Sequence, residues 1–239
     1  MRVVINQKLA ARMRQIAQYL MFVTFGVPLV GLFFLNSQPT DLVFAVILPF
    51  GILLIALFIT VISVRLANLW VRVPRPEDVI PESLKGIGKN AVLFSYYHFP
   101  ARHVLIVPQG VFALQVMYQD GKFTVHNDRW TRQQSGIARF LSLLRFDSMG
   151  DPTGEAKTAA AHVQKLLLPF AGEIDVQPLI IFIDPKVEVE VGETSVPVVA
   201  ADGGQKKGGI KDYLYDLGRG QYKTLTSAQI EAFEAATVR

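Results

Sequence analysis

Two stretches dominate what this chain can become. Ile16 to Leu35 holds no charged residue across 20 positions, and Leu42 to Val64 holds none across 23. A helix needs roughly 20 residues to cross about 30 Å of hydrocarbon, so each run reads as a transmembrane helix. A pair of buried core helices fits poorly, because charge-free runs of this length are rare in soluble cores. A cleaved leader also fits poorly: the first run is long, a second follows at once, and no small-residue cleavage site lies between them.

The six residues Asn36 to Asp41, with Pro39 to break one helix and Asp41 to cap the next, read as the turn of a helical hairpin. Basic residues flank the hairpin and avoid the turn. Arg2, Lys8, Arg12 and Arg14 precede it, and Arg65, Arg72 and Arg75 follow it. The positive-inside rule then predicts a two-pass protein of the cytoplasmic membrane with both termini and the soluble domain in the cytoplasm. Tyr19 and Trp70 are placed to anchor the hairpin at the interface. No ionisable residue lies at mid-depth, which argues against a channel or a transporter.

The chain divides on this reading into a basic N-terminal tail (1–15), the hairpin (16–64), a Pro-rich polar linker (65–84), a domain (85–200), and a Gly/Lys loop with C-terminal helices (201–239). The apolar runs 91–97, 103–107 and 111–118, then 122–126 after an Asp120-Gly121 turn, read as an antiparallel meander. Helices are expected over 137–146 and 153–168, strands over 177–183, 187–191 and 196–200, a helix over 210–217, and a last helix capped by Thr226 with Gln229. The result is an α+β or α/β domain with one core.

Composition excludes several chemistries. The 239 residues include no cysteine, which removes thiolate metal sites and a cysteine nucleophile. The four histidines show no metal-ligand spacing, and no phosphate-binding glycine motif occurs. The net charge of +4 is mostly juxtamembrane, because residues 1–64 carry +3 and residues 65–239 only +1. Within the latter, 65–145 carry +6 and 146–202 carry −7. A footprint on nucleic acid usually needs a more basic domain, so nucleic acid is the less favoured partner.

The run Ala101 to Met117 (ARHVLIVPQGVFALQVM), followed by Asp120-Gly121-Lys122 and Trp130, resembles the nuclease-related domain (NERD) family. The resemblance extends over roughly 85–200. It implies a fold similar to the restriction endonucleases, a mixed sheet with Asp on one strand and Glu-x-Lys on the next. Such carboxylates hold a divalent metal that activates water against phosphorus. Here Arg102 stands where Asp would, and Gln115 and Met117 stand for Glu and Lys. The resemblance therefore implies a frame without its catalytic residues, and no metal or cofactor is expected.

Arg132, Arg139 and Arg145 admit two readings: contacts to anionic lipid or a partner through an interfacial helix, or the solvent face of a core helix, which is the commoner arrangement. The favoured function is a membrane-anchored, catalytically degenerate binding or assembly module, as an accessory subunit of a membrane complex. Its partners are membrane lipid and other membrane proteins. The alternative is a membrane-tethered, metal-dependent nuclease or nucleic-acid-binding protein.

Overall fold

The computed structural model describes residues 1–36, 47–88, 90–133, 150–201, 209–218 and 222–238. The turn at 37–41, the helix expected over 137–146 with Arg139 and Arg145, and most of the Gly/Lys loop lie outside the described residues. The chain forms two compact units. Among the described residues, one is helical and comprises 7–36 and 47–73; the other joins residues 1–6 to those from Pro74 onward.

In the helical unit, α1 (Gln7–Asn36) and α2 (Leu48–Trp70) pack against each other. Both are long and apolar enough to cross a membrane. A Cβ on Gly31 would lie 3.1 Å from Ile52 Cγ2, and Arg14 Nε donates to the Trp70 carbonyl at 3.3 Å. These two contacts make the pair antiparallel. The buried positions fall at multiples of seven residues: Ala10, Ala17 and Gly31 on α1, and Pro49, Ala56, Ser63 and Trp70 on α2. Mostly small side chains at this spacing allow close approach of the backbones. Trp70 belongs to this buried series, whereas Tyr19 is 62% exposed.

The second unit is built on a mixed six-stranded sheet in the order β1-β2-β3-β4-β7-β9. Its strands are β1 (Arg2–Ile5), β2 (Val92–His98), β3 (Ala101–Val107), β4 (Gly110–Met117), β7 (Val176–Phe182) and β9 (Val198–Ala200). A smaller sheet has the order β6-β5-β8, from β5 (Gly121–His126), β6 (Arg129–Gln133) and β8 (Val187–Val191). The helices of this unit are α3 (Pro76–Ser83), α4 (Pro152–Ala171), α5 (Ile210–Leu217) and α6 (Ser227–Thr237). An α+β layout with a mixed sheet is thus present.

Three expectations need correction. Residues 1–15 are not a tail: Arg2–Ile5 pair in parallel with Val92–Ser95, and helix begins at Gln7. Residues 65–84 are not an extended linker, because α2 runs to Trp70 and α3 follows with Pro76 in its first turn, where a missing N–H costs nothing. The meander also stops at β4. That strand pairs with β3 on one side and β7 on the other, leaving no edge for β5, which instead joins β6 and β8. The β5–β6 turn is Asn127-Asp128, both at positive φ as a type I′ hairpin turn requires.

Central strands covered on both faces read as continuous apolar runs. Val92, Phe94, Val104, Ile106, Val111 and Ala113 pack with Ala159, Val163 and Leu167 of α4 and Ile230 and Phe233 of α6. Alternate residues Leu93, Leu105, Phe112 and Leu114 are equally buried. Phe233 sits edge-on to Phe94 and Phe170 and stacks on His98, with ring centroids 5.9, 6.1 and 4.9 Å away. Outside the core, Asp128 accepts from the Ser195 N–H at 2.8 Å and from the hydroxyls of Ser195 and Thr194. These bonds, with Lys157 nearby, hold its carboxyl down to about 2 and tie the β5–β6 turn to the loop before β9.

Removing the Phe233 ring leaves a cavity among three ring partners, so Phe233→Ala should destabilise the full chain in detergent by about 3–5 kcal/mol. Arg2→Ala, which removes a half-exposed pair with Glu234, should cost under about 1 kcal/mol in the same urea titration.

Burial holds His98 down to about 4, helped by His162, and His103 down to about 3, helped by Arg102. Both are neutral in the fold while the unfolded chain protonates near 6.5. Stability should therefore be complete above pH 6.5 and decline as pH falls toward 4 and then 3. Urea midpoints that are equal at pH 7.5 and pH 5 would contradict this.

Candidate functional site

One cleft in the sheet unit brings together Arg102 and Gln115, two of the three positions singled out in the sequence; the third, Met117, is not among its lining residues. Antiparallel pairing of β3 with β4 sets His103 opposite Leu114. One step further along the ladder, Arg102 and Gln115 stand on neighbouring strands, and both line a cleft of about 480 Å³. Pro100 closes one side, and Asp151, Gly154, Glu155 and Thr158 from the start of α4 close the other.

The first turn of α4 is shaped by its sequence. Asp151 is the N-cap, accepting from the Gly154 N–H at 3.0 Å, and Pro152 follows at the first helical position. A side chain at position 154 would collide with the Asp151 carboxylate. The hydroxyl of Thr158 donates to the Gly154 carbonyl at 2.8 Å. This turn presents Glu155 to the sheet, where the Gln115 amide donates to its carboxylate at 2.6 Å. Spacing alone hides this contact, because 40 residues separate the partners.

Arg102 is half-buried and, among the described residues, forms no salt bridge. The Arg102 charge acts on the neighbouring Tyr118: burial pushes the phenol up, and the guanidinium charge opposes that shift. Met117 is buried with Phe123, Ala156, Ile180 and Phe182, so its thioether fills core space below the cleft. The cleft therefore holds a guanidinium, two carboxylates and an amide. A divalent cation entering it meets the fixed charge of Arg102, and a phosphodiester meets Asp151 and Glu155. No group of three or more His, Asp or Glu suited to a metal occurs among the described residues. Among the described residues, the arrangement offers hydrogen-bonding groups of mixed charge.

Other polar groups lie apart from this cleft. Ser95 Oγ and His103 Nδ1 are 3.0 Å apart, a pairing absent from the sequence reading, yet both residues are fully buried. His98 Nε2 lies 2.9 Å from Thr237 Oγ1, and His126 is exposed. Arg132 turns inward: it binds the Asp120 carboxylate at 3.0 Å and the Asp120 carbonyl at 2.8 Å, with its guanidinium 5.3 Å from the Phe123 ring centroid. It is a tie between β6 and the β4–β5 turn.

Gly154→Ala should displace the Asp151 cap and cost about 1 kcal/mol or more, by analogy with loss of an N-cap. Gln115→Leu should leave the fold intact and release the Glu155 side chain, which nuclear magnetic resonance of the Glu155 carboxyl would register.

Compared with known proteins, the chain matches no family model, no curated protein and no solved structure.

Proposed function

We propose that this chain is a membrane-anchored binding and assembly module, built on a nuclease-like frame without metal chemistry, that acts as an accessory subunit of a membrane complex. The observation that carries the reading is the cleft beneath α4. Arg102 and Gln115 occupy neighbouring strands there, in the places where the NERD resemblance requires Asp and Glu. A cation on the first strand and an amide on the second leave two-carboxylate metal binding without its ligands.

The anchor has separate support. Only 11% of the apolar window of each long helix is buried, whereas the core helix of a soluble protein is mostly covered. Phe22, Phe25, Phe33, Phe50 and Phe58 are among the exposed side chains, and lipid is the solvent that suits such a surface. Strand β1 precedes α1, and β2, its partner in the sheet, follows α2. This pairing supports a hairpin whose two outer ends share one side of a bilayer. The basic flanks favour the cytoplasmic side by the positive-inside rule.

The competing reading, a tethered nuclease, draws on Glu155, which keeps a carboxylate in the cleft. Full-length protein incubated with DNA or RNA and Mg²⁺ or Mn²⁺ should show no EDTA-sensitive cleavage; such cleavage would establish the competing reading. Crosslinking in native membranes should capture a defined membrane-protein partner. A lone monomer after crosslinking and solubilisation would count against the assembly role.

A further inference from the structure

Helix α1 has 30 residues and is about 45 Å long, some 15 Å more than the hydrocarbon core requires. The excess falls at its start, where Lys8 and Arg12, four residues apart, share one side of the helix. The antiparallel register fixed by Gly31 beside Ile52 and Arg14 on the Trp70 carbonyl sets Arg65 of α2 level with Tyr19. Lys8, Arg12 and Arg65 are all exposed, and among the described residues none of them forms an ion pair. Between residues 7 and 73 the single acid is Asp41, in the segment joining the far ends of the helices. Among the described residues of the helical unit, no acid therefore neutralises this end of the pair.

Resting on the anchor reading above, we infer that Lys8, Arg12 and Arg65 form a two-tier binding surface for anionic phospholipid headgroups. Arg65 lies at the depth of exposed Tyr19, where a guanidinium on an apolar stem reaches the phosphate layer. Arg12 stands about 10 Å further out along α1 and Lys8 about 16 Å, so they act on headgroup charge across solvent. Arg65 makes the direct contact, and the outer pair adds attraction that salt screens over about 8 Å at physiological ionic strength. The surface selects for headgroup charge, since no shaped pocket distinguishes one anionic headgroup from another.

Full-length protein in micelles is titrated with phosphatidylglycerol or phosphatidylcholine, and bound lipids are counted by native mass spectrometry. The wild type should prefer phosphatidylglycerol by at least about fivefold, the scale of one basic residue near a charged surface. Lys8→Gln/Arg12→Gln/Arg65→Gln should bind both lipids equally, and Arg65→Gln alone should lose more than Lys8→Gln. Equal binding of both lipids by the wild type, or a preference kept by the triple variant, would overturn the inference. The anchor is read separately by carbonate extraction from pure phosphatidylcholine vesicles. Wild type and triple variant should both resist extraction; release of the wild type would overturn the anchor reading and this inference with it.

Discussion

Strand β4 has neighbours on both sides, and the rest of the sheet unit follows from that. Its antiparallel partner β3 is reached by a short turn, but its parallel partner β7 can be reached only by a crossover. Helix α4 supplies the crossover and covers the face that bears Val111 and Ala113. The same placement puts the first turn of α4 over the end of β4, so Glu155 meets Gln115 there. The cleft is thus a product of topology: two strand ends roofed by the helix that a parallel pairing requires. With both its edges occupied, β4 also sends β5 into the second sheet, where Phe123 packs with Phe182 of β7 and adds a second cluster to the core.

Features set by local periodicity were legible in the sequence. The long apolar runs, the β2, β3 and β4 segments, the alternating Val-Glu strand β8 and the Thr226 capping box with Gln229 all read directly. Features set by distant partners were not. Arg2–Ile5 has four residues and no turn signal, and becomes a strand only because Val92–Ser95 is beside it. Arg129–Gln133 alternates in burial around Trp130 and Arg132, neither of which is aliphatic, so its pattern resembles a loop. The prolines of Pro76–Ser83 look like linker residues until their place in a helix is known. For the site, the sequence located Arg102 and Gln115 but not their company, since Asp151 and Glu155 arrive from a helix.

Those neighbours alter the meaning of the substituted positions. In sequence, Arg102 and Gln115 read simply as losses relative to a metal-binding pattern. In the fold, each has a definite setting: Gln115 is bonded to Glu155, and Arg102 lines the same cleft. The recess has its own hydrogen-bonding logic, with acceptors concentrated on α4 and a cation on β3. Gln115 and Glu155 are already engaged with one another, so each keeps only its remaining polar edges open to solvent.

The pairing of β1 with β2 constrains how the sheet is completed. Arg2–Ile5 lie ahead of both long helices, yet the strand they pair with begins at Val92, after them. Closing this edge of the sheet links two segments separated by the whole helical unit, a contact of high sequence separation that carries the entropy of a long loop. Until it forms, the β2 edge is open and available for aggregation. Four residues ahead of α1 therefore make completion of the sheet depend on a chain segment on the far side of the helical unit.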